Sequence, residues 1–308
     1  MSVSSRVIDG ALVASIENPP VNALSVQQGV VAALTEAIRS ALADPSVEMI
    51  VVKGEGRCFS AGADIADFDG DPAKLDQTRA LNDLISSASK PVVMAMHGVA
   101  LGGGLELALA GHYRLCDSST KLGLPEVTLG LLPGGGGTQW LPRLIGATAA
   151  IDLMIGGDQI SAREARDCGL VDVVVDGDPL AAARSLAARG PQRPDERPLA
   201  DEAAAEIEAA KAKHAKILKR SEAARCIVEC VEAARLSFDE GCVIERRLFE
   251  RLMASEASLG LRHAFFGERV VSRIPGLPKE IDPQEFRSIA VVGAGTMGTG
   301  IALVMLAA

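Results

Sequence analysis

Met96-His-Gly-Val-Ala-Leu-Gly-Gly-Gly-Leu-Glu-Leu-Ala-Leu-Ala110 is the run whose reading decides the fold. Three consecutive glycines, Gly102 to Gly104, follow the β-branched pair Val92-Val93 and lead into a helix-forming set, which predicts a strand-to-helix turn. Glycine lets the backbone approach a ligand closely. The first N–H groups of a helix have no internal partner and lie at its positive dipole end, so such a turn favours an oxygen acquiring negative charge. Glu106 is expected in the first turn of the same helix, beside that anion site. A glutamate there is ordinarily a dipole or capping-box residue, and the rest of the chain has to decide. A second run, Gly123-Leu-Pro-Glu-Val-Thr-Leu-Gly130, puts Glu126 in a short element able to return to the same mouth.

Upstream, Arg6 to Glu17 reads as two strands around the hairpin dipeptide Asp9-Gly10. Residues 26 to 43 carry Val30, Leu34, Ile38 and Leu42 at helical spacing, stopped by Asp44-Pro45. Glu48 to Lys53 is a buried-type strand. The loop Cys58-Phe-Ser-Ala-Gly-Ala-Asp-Ile65 follows, rich in small residues whose backbone could meet the glycine turn, and a helix is expected over 73 to 88. Val92 to Met96 then supplies the next strand. Strand, loop, helix and strand repeat, which predicts an α/β fold with parallel strands.

Downstream, Leu131-Leu-Pro-Gly-Gly-Gly-Gly-Thr-Gln139 lacks the Gly-Lys-Ser or Gly-Lys-Thr ending of a phosphate cradle. It reads as a turn that lets the chain pass close to the site. Helices over 146 to 156 and 161 to 168 lead to a strand, Gly169 to Val175. A Pro- and charge-rich connector, Gly190 to Pro198, opens a helical stretch from Asp201 to about Arg273 with Ile227, Val231, Leu248, Leu252 and Phe266 at helical intervals. Its charges, among them Lys211, Lys213, Lys216, Lys219 and Arg220, read as a solvated face. Pro275-Gly-Leu-Pro278 ends it. Last comes an expected strand from Phe286 and then Gly293-x-Gly295-x-x-Gly298 opening a helix, the context of a dinucleotide fingerprint. The chain ends at Ala308, before the acidic residue and further strands such a fold needs, so this is expected to be the stump of a second domain, without function of its own.

Composition narrows the function classes. The 308 residues are 48 % hydrophobic and suffice for one large or two ordinary domains. No uninterrupted apolar stretch reaches the roughly eighteen residues of a membrane span, and the N-terminus lacks an apolar signal core. A net charge of −9 with one Trp, one Tyr and seven Phe offers neither a basic footprint nor a stacking platform for nucleic acid. Six cysteines, without a Cys-x-x-Cys pair, read as reduced core thiols, and the four scattered histidines give no metal spacing. No membrane, nucleic-acid or metal partner is expected, and no Gly-x-Ser-x-Gly nucleophile elbow occurs.

Taken in order, Phe59-Ser-Ala-Gly-Ala-Asp-Ile65, Ala100-Leu-Gly-Gly-Gly-Leu-Glu-Leu107 and Gly123-Leu-Pro-Glu-Val-Thr-Leu-Gly-Leu-Leu-Pro133 resemble the enoyl-CoA hydratase/isomerase (crotonase) family over about residues 6 to 190. The helical stretch and Gly293-Ala-Gly-Thr-Met-Gly298 look like the linker and dehydrogenase start of multifunctional β-oxidation enzymes. The resemblance implies a spiral of ββα turns and three parts: 1–190 hydratase/isomerase, 191–285 helical extension, and 286–308 the truncated start of a Rossmann domain. It implies that the oxyanion-hole N–H groups are those of Ala63 and Gly103, and that the catalytic pair is Glu106 and Glu126. Ala61, Gly62, Asp64 and Ile65 would lie along CoA. Gln139-Trp-Leu141 departs from the family's usual Gln-Arg-Leu, and Ala66 replaces a frequent basic residue, with Arg57 a weak substitute for that phosphate contact. The implied activity is hydration of a 2-enoyl-CoA, with 3,2-isomerisation beside it. It needs no cofactor, with NAD serving only a longer parent. Isomerase-only chemistry, another CoA-thioester reaction and a non-catalytic acyl-CoA-binding module are the competing expectations. A monomer or trimer is expected, in the cytoplasm or, alternatively, the peroxisome.

Overall fold

The computed structural model describes residues 2–68, 73–271 and 286–307. Strands β1 (Val3–Ile8) and β2 (Ala11–Ile16) pair antiparallel about Asp9 and Gly10, both at positive φ as a tight hairpin requires. Helix α1 (Val30–Ala43) starts later than its periodicity predicts because Gly29, at φ 75°, sets the chain direction just before it. Strand β3 (Met49–Gly54), helix α2 (Ala73–Ser86) and strand β4 (Val92–Met96) follow as expected, with an unforeseen 3-10 turn at Ile65–Phe68 closing the loop after β3.

One difference lies at the deciding run. The chain does not pass from β4 straight into a helix. It turns at His97-Gly98 and makes a second strand, β5 (Val99–Leu101), before helix α3 (Gly103–Ala110). The same doubling recurs with β6 (Tyr113–Cys116), β7 (Lys121–Gly123) and the 3-10 turn Pro125–Leu129. Then come α4 (Gly137–Ile145), α5 (Ala147–Gly156), β8 (Ile160–Ser161), α6 (Ala162–Asp167), β9 (Val173–Val174) and α7 (Pro179–Ala187). The strand expected over 169 to 175 shrinks to its last apolar pair, because β9 is the edge of its sheet and meets only β6.

The first strands of the turns form a six-stranded sheet in the order β1-β2-β3-β4-β6-β9, parallel from β2 onward. The second strands form a smaller sheet, β5-β7-β8. Parallel bridges Ser60↔Ala100 and Leu24↔Ala63 carry the small sheet's pairing into the loop before Ile65. Side-chain alternation splits the large sheet between two cores. Leu12, Ala14, Ile50, Val52, Val92 and Met94 face the helical core, whereas Val13, Val51, Val93, Tyr113 and Leu115 face Ala183 and Leu186 of α7. Covered on both faces, the central strands read as unbroken apolar runs.

Beyond a short 3-10 turn at Pro194–Glu196 lie α8 (Ala203–Lys213), α9 (Ala215–Leu218), α10 (Glu222–Ala233), α11 (Phe238–Met253) and α12 (Glu256–Val271). Ile207, Ile227, Val231, Leu248 and Leu252 are buried in the same helical core as α1 and α3, while Phe266 is exposed. Lys211 and Lys213 pair with Glu208, Glu232 and Asp152 on the surface. The turn Pro275 to Pro278 falls outside the described residues.

Two compact units result, Met1–Phe265 and Phe266–Ala308. In the second, Gly293 (φ 108°) to Gly298 turn into helix α13 (Thr296–Ala307), as the fingerprint requires. Residues 286 to 292, expected as a strand, form none, and no partner strand for them occurs among the described residues. A dinucleotide crevice is built from parallel strands beside such a turn, and the described residues of this second unit supply none of their own.

Candidate active site

Loop Cys58 to Ala63 is laced on both sides. Ser60 N–H donates to Val99 O and Leu101 N–H to Ser60 O, while Ala61 N–H donates to Val21 O and Leu24 N–H to Gly62 O. The Asn22 amide donates to the Glu55 and Cys58 carbonyls at 2.8 and 2.7 Å, and the Ser60 hydroxyl to Asn22 O at 2.8 Å. Short side chains permit this, and the result is a fixed backbone at Ala63.

Gly102, at φ 51° and ψ −131°, turns the chain from β5 into α3. Only glycine holds that conformation without strain. Its N–H donates to Gly123 O, tying the turn to β7. Gly103 opens α3 against Ala63: a Cβ at 103 would lie 3.1 Å from Ala63 N. Neither the Ala63 nor the Gly103 N–H has a backbone acceptor among the described residues. The two donors expected to receive an oxyanion therefore stand side by side. Asp64 and Ile65 continue from Ala63 into the 3-10 turn and are partly exposed, as is Ala61, whereas Gly62 is buried at φ 112°.

Both expected glutamates come to this place. A Cβ on Gly102 would lie 2.9 Å from Glu126 Oε1, so the carboxylate lies against the glycine turn. Glu126 stands in the 3-10 turn after β7, and its Oε2 is shielded from solvent with no hydrogen-bond partner among the described residues. Glu106, 5 % exposed, projects from the first turn of α3. It does not cap its own helix. Its Oε1 accepts the N–H groups of Gly135 and Gly137, at 2.7 and 2.9 Å, from the glycine-rich loop and the start of α4. A Cβ at 135 or 137 would stand within 2.9 Å of that carboxylate, and one at 134 or 136 would run into Phe249 or Trp140, which together account for the run of glycines.

The two carboxyls are not equivalent. Burial raises Glu106 above the ordinary carboxylate range, and the Gly137 and Gly135 N–H groups and the Arg79 charge pull it back. Burial raises Glu126 well above that range, and the nearby Glu106 charge pushes it higher. Both carboxyls are raised, and the Glu106 charge beside Glu126 favours Glu126 as the holder of a proton shared by the pair.

Sequence reasoning missed three neighbours. Asn82 and Arg79 come from α2. The Asn82 amide donates to Gly135 O at 2.9 Å, and the Arg79 guanidinium lies 5.6 Å from the Trp140 ring centre and 5.4 Å from that of Phe238. The third is Glu245 of α11, 1 % exposed, which accepts the Gly136 N–H at 2.8 Å. Burial pushes its carboxyl up to about 8, with the Glu106 charge adding to the rise and Arg79 opposing it. Periodicity marks α2 and α11 as helices, but nothing in their charge pattern separates these residues from solvated ones. Among the described residues no group of three His, Cys, Asp or Glu side chains could hold a metal ion, and no helix is long and apolar enough to cross a membrane.

Residues 8–238 match the protein family described as enoyl-CoA hydratase/isomerase. The chain is 40 % identical over 300 residues to the peroxisomal bifunctional enzyme of Danio rerio, covering 93 % of this chain and 41 % of that protein. A peroxisomal fatty acid beta-oxidation multifunctional protein of Arabidopsis thaliana is 36 % identical over 318 residues, covering 97 % of this chain and 44 % of the relative. The chain thus spans about two-fifths of the length of these relatives. The crystal structure of an enoyl-CoA hydratase from Rhodobacter sphaeroides superposes with a TM-score of 0.67 at 25 % identity, covering 92 % of this chain and 95 % of the other.

Proposed function

The chain belongs to the enoyl-CoA hydratase/isomerase (crotonase) family, whose members act on CoA thioesters, and from that premise we propose that it adds water across the double bond of a 2-enoyl-CoA to give a 3-hydroxyacyl-CoA. The observation that carries the reading is the inequality of its two facing carboxyls. Glu106 is held by two N–H groups on one oxygen, while the half-buried Glu126 keeps its Oε2 shielded from solvent with no hydrogen-bond partner among the described residues.

The thioester carbonyl is received by the Ala63 and Gly103 N–H groups, which stabilise negative charge as it moves onto oxygen. Glu106, with Oε1 engaged, turns Oε2 to a water and takes its proton as the oxygen bonds to C3. Glu126 gives its proton to C2. One water is consumed, and the pair regains its starting state when the proton passes from Glu106 to Glu126. The CoA moiety runs along Ala61, Gly62, Asp64 and Ile65. Moving a 3-enoyl double bond to the 2-position needs no water: with the pair's proton on Glu106, the ionised Glu126 takes a proton from C2 and returns it to C4, and this second activity belongs to the same site. In a longer parent, the 286–308 segment begins an NAD-linked dehydrogenase that oxidises the 3-hydroxyacyl product, with 1–190 the hydratase part and 191–285 its helical extension.

Two variants test the assignment. Glu106→Gln abolishes hydration, read as loss of the enoyl-thioester absorbance of crotonyl-CoA, while sparing part of the isomerase activity; Glu126→Gln removes both. Hydration by Glu106→Gln at near the wild-type rate sinks the roles. Saturable binding of crotonyl-CoA without any turnover by the unaltered protein would instead mark a binding module.

A further inference from the structure

Four successive N–H groups, those of Gly135, Gly136, Gly137 and Thr138, are shared alternately between two glutamate carboxyl groups. Gly135 and Gly137 donate to Glu106 Oε1. Gly136 donates to Glu245 Oε1 at 2.8 Å and Thr138 to Glu245 Oε2 at 3.2 Å, and the Thr138 hydroxyl donates to the same Oε2. Glu245 reaches this loop from α11, and Arg79 Nη1 stands 3.7 Å from its Oε1. Arg79 also donates from Nη2 to Cys242 Sγ at 2.9 Å and from Nε to Asp83 at 2.8 Å. One turn before Glu245, Gly241 meets α4 so closely that a Cβ would lie 2.0 Å from Gln139 Oε1, whose amide nitrogen donates to Cys230 O of α10.

We propose that Glu245 is a positioning residue for hydration: by gripping Gly136 and Thr138 it holds the intervening N–H groups aimed at Glu106 and so fixes which Glu106 oxygen faces the water. The inference rests on the reading of Glu106 as the base toward water. A carboxylate is a costly residue to bury for scaffolding alone, since an apolar side chain of similar volume fills the same space without desolvation. What an apolar side chain cannot do is accept two alternate N–H groups of one loop. Glu126 is held elsewhere, by the Pro125–Leu129 turn and the Gly102 contact, so isomerisation does not depend on this grip.

Glu245→Leu and Glu245→Gln in the full chain test it, with the unaltered protein and Glu106→Gln beside them. Hydration of crotonyl-CoA and conversion of a 3-enoyl-CoA to its conjugated isomer are followed by thioester absorbance, and folding by thermal unfolding. Glu245→Leu removes the acceptor of three buried donors, the Gly136 and Thr138 N–H groups and the Thr138 hydroxyl, and its hydration kcat falls about ten- to hundredfold. KM stays within about twofold and isomerisation within about threefold, because Glu245 touches no substrate and acts on Glu126 only through its charge, the smallest of the effects that raise that carboxyl. Glu245→Gln, which keeps one acceptor oxygen, recovers part of the lost hydration. Parallel loss of both activities, or hydration unchanged in both variants, overturns the proposal. If Glu245→Leu does not fold, Glu245→Gln decides alone: a selective loss of hydration supports the grip, and wild-type rates reject it. Hydration by Glu106→Gln at the wild-type rate would instead overturn the role of Glu106, and the proposal with it.

Discussion

Alanine at position 103 separates stability from activity. Gly103 is the first residue of α3 and lies outside the positive-φ glycines, so a methyl group introduces no backbone strain. Helix propensity favours alanine over glycine by up to about 1 kcal/mol. Against that, the new Cβ would stand 3.1 Å from Ala63 N, 3.4 Å from Ala63 Cβ and 3.7 Å from Ala63 Cα, a contact relieved by a shift of a few tenths of an ångström. Overpacking by one methyl costs about 1 kcal/mol or slightly more, so the net change in stability is close to zero. The effect on activity is much larger. A carbonyl oxygen bound by this pair of donors must approach each to about 2.7 to 3.1 Å. The methyl carbon occupies that distance from Ala63 N, which removes one donor from use. Losing one such donor costs roughly 3 to 4 kcal/mol of transition-state stabilisation, a fall of about a hundred- to a thousandfold in kcat. Hydration of crotonyl-CoA and the thermal midpoint are measured on the same preparation. A Gly103→Ala protein with a native midpoint and activity within about fivefold of the parent refutes the oxyanion hole at Ala63 and Gly103, since the expected loss is far greater.

Two further outcomes follow from the same geometry. Gly102→Ala forces an L side chain into φ 51°, ψ −131° and sets its Cβ 2.9 Å from Glu126 Oε1; stability drops by about 1 to 3 kcal/mol in denaturant unfolding, and hydration and isomerisation fall together because Glu126 is displaced. Hydration has a bell-shaped dependence of kcat/KM on pH, since Glu106 must be ionised and Glu126 protonated; burial raises both, so the acid limb lies above the ordinary glutamate value of 4.5 and the alkaline limb reports Glu126, and a rate undiminished down to pH 4.5 contradicts this state of the pair.

Much of this architecture is legible from local signals. Asp9-Gly10 declares its hairpin, Val30, Leu34 and Ile38 declare the buried stripe of α1, and the apolar run of β4 declares a strand covered on both faces. The site is legible for a related reason. Ala63, Gly103, Glu106 and Glu126 sit in short runs where small residues and a carboxylate coincide, and the structure brings all four together. The failures have physical causes. Strand β5 is three residues long, too short to show alternation, and belongs to a sheet built from distant segments. The fingerprint strand is apolar enough to extend but has no ladder to join among the described residues. Glu245 is hidden for a deeper reason: its partner Gly136 lies 109 residues away, and a carboxylate in a charged helix carries no mark of burial. Sequence distance, which costs little once a core closes, conceals such pairs entirely.

The reach of α11 into the glycine-rich loop also has a temporal side. During synthesis, at roughly 5 to 20 residues per second, the loop leaves the ribosome about 5 to 20 seconds before Glu245, 109 residues later. The large sheet is complete in sequence by Val174, yet Gly136 and Thr138 lack their acceptor until α11 docks. If the proposed roles hold, a nascent chain can therefore own both glutamates and the glycine turn and still hydrate poorly. Competence arrives as a late event of folding, with the helix that closes the core.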